Sequence, residues 1–295
     1  MGGARAIFTM DIVAELPLFR TGPLTALNWA ERWHWAHGQL GWATPRPEME
    51  RVLKEALLAG GHVILSAPTG WGKTGVWKLA FLMTGLPVVV IHPLVSIGID
   101  GGLEAALIDL AREVRVIDGS TANAGDVEMM KNLGTPASTV DIVFITMDQL
   151  VKINPALRSA MLSVARVGRG KESEVPRRLA MIVIDEFGAC RIEGIQYRDK
   201  LLDFPALCAA LSDARQDLPL VLTDATVDDL IRAWARDKMI SGPSKVVQLS
   251  PQSFTSGSGL RLCIYLVADA AASARALLKA DADFFSHQLI KSILN

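Results

Sequence analysis

Several things are scarce in this chain of 295 residues, and each scarcity excludes something. Half of the residues are hydrophobic, yet the apolar runs are short, and none reaches the roughly 18 residues of a membrane-spanning helix. Excess charge of either sign is missing: 30 Lys and Arg stand against 31 Asp and Glu, net −1. There is thus no global basic footprint, and any nucleic-acid surface must be local. Cysteine is rare. Cys190, Cys208 and Cys263 are odd in number, widely spaced and form no C-x-x-C, which argues against structural zinc and fits a reducing intracellular compartment. The start, Met1 to Ala6, lacks a signal-peptide pattern, and Ala6 stands where myristoylation requires Ser or Thr. No internal repeat or low-complexity run is visible. The length allows one large domain or two smaller ones with ample core.

What is present centres on residues 63–74, Val63-Ile64-Leu65-Ser66-Ala67-Pro68-Thr69-Gly70-Trp71-Gly72-Lys73-Thr74. An apolar β-prone run empties into a glycine-bearing loop, and Gly75 to Thr84 behind it reads as a helix. In strand–loop–helix of this kind, Gly70 and Gly72 let backbone N–H groups fold inward around an anion at the positive end of the helix. Lys73 then reaches the β- and γ-phosphates of a nucleotide, and the Thr74 hydroxyl ligates Mg²⁺. Ala67 stands where the usual pattern has its first glycine. The partner carboxylates come from Ala180-Met181-Ile182-Val183-Ile184-Asp185-Glu186, a continuous apolar strand ending in two acids. That pattern suits a central parallel strand delivering carboxylates to the ligand edge of a sheet. Asp185 would hold Mg²⁺ through water and Glu186 would polarise the attacking water.

Around this pair the chain alternates. Residues 1–39 read as an appended helical segment, with Trp29, Trp33 and Trp35 packing on the main body. His34 and His37, three apart, could face one metal, but a pair without further ligands is more often structural. Glu48 to Ala59 reads as a helix stopped by Gly60-Gly61. Trp42 and Arg46 precede it, a flat aromatic and a guanidinium of the kind that sandwich an adenine, or else a core Trp and a surface Arg. Further strands are expected at 88–96, running into a loop, and at 114–117, 141–150, 218–222 and 261–267. Helices are expected at 104–112, 126–133, 155–166, 200–214 and 227–237. Gly168 to Arg178 is a charged loop and Ser250 to Gly259 a Ser/Gly-rich linker. Strands alternating with helices predict an α/β, doubly wound parallel sheet with helices on both faces and ligands at the strands' C-terminal ends.

The loop ends, taken in order, resemble the first, RecA-like motor domain of superfamily-two helicases, most closely the RecQ-type DNA helicases. The resemblance covers about residues 40–265. Ala67 to Thr74 is similar to motif I, including Thr69, Gly70, Trp71 and Gly72 as nucleotide-binding positions. His92-Pro93-Leu94-Val95-Ser96 onward resembles motif Ia, Ile145 to Leu150 motif Ib, Asp185-Glu186 the start of motif II, and Asp224-Ala225-Thr226 takes the place of motif III. Leu40 to Leu53 resembles the RecQ-type motif 0, with Trp42 and Arg46 in the adenine-stacking positions. The resemblance implies an ATP- and Mg²⁺-dependent helicase working 3'-5' on single-stranded or forked DNA in repair and recombination, nuclear if eukaryotic. Lys73, Asp185 and Glu186 would carry catalysis. Pro93, Ser96, Thr146, Tyr197 and Arg198 would contact DNA. It implies domains at 1–39, 40–249 and 250–295, the last a linker and truncated start of a second motor domain, since only about 30 residues remain where such a domain needs about 150.

The sequence also departs from the family. The motif 0 glutamine, which reads adenine, falls on Met49; Phe187 and Gly188 replace the last two residues of Asp-Glu-Ala-His; Glu193 stands where the aromatic-rich loop has Trp; and motif III begins with Asp224 rather than Ser or Thr. These changes keep a second reading open: a weak or inactive nucleotide-binding module descended from such a helicase and acting as an interaction scaffold. A third, an unrelated phosphate-loop ATPase or kinase, explains motifs I and II but not motifs 0 and Ia. With no arginine finger visible, the isolated chain is expected to hydrolyse ATP slowly and to separate no duplex.

Overall fold

Seven short strands, each of four or five residues, form one sheet in the order β3-β4-β2-β5-β6-β1-β7. This is a computed structural model that describes residues 23–42, 46–68, 70–93, 111–118, 123–166, 178–191, 199–214, 218–225, 229–241 and 244–248. The strands are β1 (His62–Ser66), β2 (Val88–His92), β3 (Val114–Ile117), β4 (Ile142–Thr146), β5 (Met181–Asp185), β6 (Leu220–Asp224) and β7 (Ser244–Gln248). Every pairing among them is parallel. Central strands of such a sheet are covered on both faces, which is why their sequences are continuous rather than alternating apolar runs. β2, β4 and β6 are buried along their whole length.

Helices cover both faces, as the alternation of elements predicts. On one side lie α1 (Trp29–Gln39), α2 (Pro47–Leu53) and α3 (Gly75–Thr84). There the Trp77 ring of α3 meets Phe144 of β4 edge-on at 5.4 Å between centroids. On the other lie α4 (Ala124–Asn132), α5 (Pro155–Arg166), α6 (Phe204–Ala214) and α7 (Asp229–Lys238). Their inner faces join Ile64, Ile91, Ile145, Ile184 and Leu222 from alternate strand positions in one continuous core.

Local differences from the sequence reading have local causes. The helix expected over 48–59 begins at Pro47, which suits a first helical turn, and then loosens into a π-turn at Lys54–Leu58. The strand expected over 141–150 stops at Thr146 and gives way to a π-turn at Gln149–Ile153. Residues 199–203 start the 200–214 helix as a 3-10 turn. Of the helix expected at 104–112, only Ala111 and Arg112 are described, and neither is helical. The strand expected at 261–267 and the Ser250–Gly259 linker lie outside the described residues. The chain divides into units Met1–Leu249 and Ser250–Asn295, the second wholly outside them.

Strand order sets up the site. β6 lies between β1 and β5, in register so that Ser66 pairs with Asp224 and Asp185 with Thr223. The glycine loop and the acidic pair are therefore two strands apart, with the Thr223-Asp224 end of β6 between them.

Candidate functional site

The loop leaving β1 turns at two glycines with left-handed backbone, Gly70 at φ 80° and Gly72 at φ 95°, conformations that a side chain would strain. The turn is tied by Trp71 N–H donating to the Pro68 carbonyl at 3.1 Å and Gly75 N–H donating to the Gly72 carbonyl at 2.8 Å. It feeds α3, whose positive end opens on the loop, with Thr74 exposed at its N-cap. Lys73 folds back over it. Its Nζ donates to the Ala67 carbonyl at 3.1 Å and lies 3.8 Å from Glu186 Oε1. The lysine head is thus gathered with the acidic pair at one sheet edge, where an incoming phosphate would take over its hydrogen bonds.

The acidic pair is held from β6. Asp185 Oδ1 accepts hydrogen bonds from the Thr223 hydroxyl at 2.5 Å and from the Glu186 N–H at 3.1 Å. Glu186 has φ 50°, the one non-glycine residue among those described with left-handed backbone. Such a conformation costs about 1–2 kcal/mol and persists where surrounding structure enforces it. Burial raises the Glu186 carboxyl above its ordinary range, Asp224 and Asp185 push it further up, and Lys73 opposes them. Next in the turn, Gly188 N–H donates to Asp224 Oδ2 at 2.8 Å. A Cβ at Gly188 would sit 2.7 Å from that same oxygen. Glycine at 188 and aspartate at 224 are therefore fitted to one another.

Beside the loop is a cleft of 440 Å³ lined by His37 of α1, Gly41, Trp42, Arg46, Met49, Trp71 and Gly72. Trp42 lies over Gly75, close enough that a Cβ there would be 2.6 Å from its ring. Arg46 sits above the Trp71 ring at 5.7 Å. The two residues read as an adenine sandwich do reach one cleft, but Trp71 of the glycine loop joins them as a second aromatic wall. Met49 is buried at 2% exposure and brings only an apolar group there.

Of the other residues singled out in the sequence, Pro93 and Thr146 stand at the ends of β2 and β4, both buried. Thr69, Ser96, Tyr197 and Arg198 lie outside the described residues, as does Glu193. His34 is exposed whereas His37 is buried, so the two do not share one face toward a metal. Among the described residues no group of three or more His, Cys, Asp or Glu gathers to hold an ion. A divalent cation at Thr74 and Asp185 would rely on those two residues, water and the ligand's own oxygens, the usual manner of Mg²⁺ with phosphates. Sequence reasoning missed His37 in the cleft and the Gly188–Asp224 link. The first carried no local signal, and the second joins residues 36 apart in sequence.

Residues 47–230 match the family model described as DEAD/DEAH box helicase. Among solved structures, the chain is similar to the DUF1998 helicase MrfA bound to DNA, with 17% identity and a TM-score of 0.52 over 74% of this chain and 29% of that one. It is also similar to the DEAD-box helicase Mss116 bound to ssRNA and UDP-BeF, with 19% identity and a TM-score of 0.50 over 74% of this chain and 42% of that one. The chain thus spans less than half the length of either, and the likeness is one of fold. A comparison with curated proteins gave no match. No described helix is long and apolar enough to cross a membrane.

Proposed function

The chain belongs to the DEAD/DEAH box helicase family, and from that premise we propose that it is the ATP-binding motor domain of a RecQ-type, 3'-5' DNA helicase. The observation that carries the reading is the convergence of Lys73, Asp185 and Glu186 beside a base-sized cleft walled by Trp42 and Arg46. Lys73 and the loop amides bind the phosphates, with Thr74 and Asp185 as the ligands of Mg²⁺. When bound, Mg²⁺ neutralises charge on the β- and γ-phosphates. Glu186 orients the attacking water, and burial, with Asp224 and Asp185 beside it, raises its proton affinity, which suits a group that accepts a proton. Thr69 and Trp71 complete the nucleotide site. Single-stranded DNA runs across the ends of β2 and β4, with Pro93, Ser96, Thr146, Tyr197 and Arg198 as its contacts. The RecQ assignment draws its support from the motif 0 residues meeting at the cleft. The scaffold reading loses ground at Gly188, because the Asp224 hydrogen bond supplies a new link between motif II and motif III.

A second RecA-like domain supplies the arginine that stabilises the transferring phosphoryl group, so the 295-residue chain alone turns over slowly. Calorimetry with Mg-ATP tests the core of the reading. Lys73→Ala weakens binding at least tenfold, about 1.4 kcal/mol, and an unchanged dissociation constant would overturn it. ATPase assays with and without single-stranded DNA, and unwinding of a forked duplex, test the rest. Robust DNA-stimulated unwinding by the chain alone would show that a catalytic arginine comes from within it.

A further inference from the structure

The base cleft has one wall that the glycine loop and motif 0 do not supply. His37 of α1 lines it beside Gly41 and Trp42. Its ring lies 5.7 Å from Trp42 in an edge-on arrangement and 4.1 Å from Trp33, which stacks on Trp29 at 6.0 Å. This row of rings is fastened at its far end, where Trp29 Nε1 donates to Glu50 Oε1 at 2.9 Å. The buried Arg32 ties α1 to the end of α3 by donating to the Met83 carbonyl at 2.9 Å. His37 is therefore held by packing on a fixed helix.

The hydrogen bond it makes decides which nitrogen carries its proton. His37 Nδ1 lies 3.0 Å from the Trp33 carbonyl. A carbonyl only accepts, so Nδ1 is the protonated nitrogen, and in the neutral ring Nε2 is an acceptor. We infer that His37 reads the nucleotide base, its Nε2 accepting a hydrogen bond from the 6-amino group of adenine in place of the glutamine whose position Met49 occupies. This rests on the nucleotide-site reading above. Burial lowers the proton affinity of the imidazole, which keeps the ring neutral and Nε2 free to accept. Stacking on Trp42, Trp71 and Arg46 is tolerant of base identity. An acceptor at the base edge is not, since it meets a donor on adenine but an oxygen on a 6-oxopurine, where both acceptors are left unpaired. Base selectivity, which Met49 by itself would abolish, is restored from the N-terminal helix.

The test compares Mg-ATP, Mg-ITP and the triphosphate of purine riboside, which has hydrogen at position 6, by calorimetry on the full chain. ATP should bind tightest, ITP weaker by about tenfold, and the purine analogue between them. His37→Phe keeps an aromatic ring against Trp33 and Trp42 but removes the acceptor. It should weaken ATP, spare ITP and bring the two within about twofold. If the variant fails to fold, the nucleotide series on the unaltered chain decides alone. Equal affinity for the three nucleotides, with binding still dependent on Lys73, overturns the role of His37 and leaves the nucleotide site standing. Nucleotide binding that ignores Lys73→Ala overturns the site itself.

Discussion

Asp224 is the residue whose loss should be felt in both stability and chemistry, and the two effects can be separated. It is buried at 4% exposure, and its Oδ2 accepts the Gly188 N–H at 2.8 Å. Asp224→Ala removes a charge-assisted bond and leaves that N–H buried without its acceptor, a cost of about 2 kcal/mol. For a domain of this size each kcal/mol moves the melting temperature by about 2–4 °C, so a fall of about 4–8 °C is expected. Asp224→Asn retains an acceptor and should lose roughly half as much. The backbone carbonyl of Asp224, which accepts from Ala67 N–H at 3.0 Å, is the same in both variants. Gly188 makes the sharper test. A Cβ there meets Asp224 Oδ2 at 2.7 Å, and the next neighbouring side chain, Ile231, is in ordinary contact at 4.0 Å. Gly188→Ala should therefore destabilise the native chain yet cost little in the Asp224→Ala background, a coupling of about 1–2 kcal/mol in a double-mutant cycle. Chemistry follows a different route. Asp224 helps to raise the Glu186 carboxyl, so Asp224→Asn should shift the acidic limb of the ATPase pH profile downward. Thermal melts of the parent and the four variants and a pH profile of the Asn variant provide the data. Additive destabilisation, or a melting temperature for Asp224→Ala within about 1 °C of the parent, would refute the argument.

Two further outcomes follow from single positions. Glu186→Gln should lower turnover by about 10² or more and raise thermal stability at neutral pH. The folded chain holds the Glu186 proton more tightly than the unfolded chain does, so the group's contribution is present below about pH 4.5 and lost as pH rises through its raised value. The stability advantage of the Gln variant should accordingly shrink as pH falls toward 4.5, and an advantage that grows in acid would contradict the assignment. Gly134→Ala should abolish soluble expression or lower the melting temperature by more than any other alanine variant here. Gly134 has φ 75°, and a Cβ would overlap the Arg178 carbonyl; a melt like that of the parent would show that the turn relaxes.

Where the information was local, sequence reading reached the structure. α3 and α5 run over Gly75–Thr84 and Pro155–Arg166, the spans predicted for them, because apolar spacing, Pro155 at a first turn and the residues beyond each end are read within one segment. The phosphate-type loop and the acidic strand end were legible for the same reason: glycine conformation, strand burial and the step from strand to loop are properties of neighbouring residues. The parallel, doubly wound class followed from the alternation of such segments.

What the chain could not show as a string is who stands beside whom. Residue order does not state that β6 lies between β1 and β5, and only that placement brings Thr223 to Asp185 and Asp224 to the turn at Gly188. Asp224 was visible as an unusual first residue of motif III and Gly188 as an unusual residue of motif II. That each departure answers the other is a fact of packing across 36 residues. His37 read in sequence as half of a histidine pair; the fold turns His34 outward and carries His37 into the cleft beside the glycine loop, because Arg32, Trp29 and Trp33 lock α1 against α3 and Glu50. Pairing between distant segments is chosen by the burial of whole faces rather than by local preference, so the chemistry of each strand end was written in the sequence while its neighbours were decided by the tertiary structure.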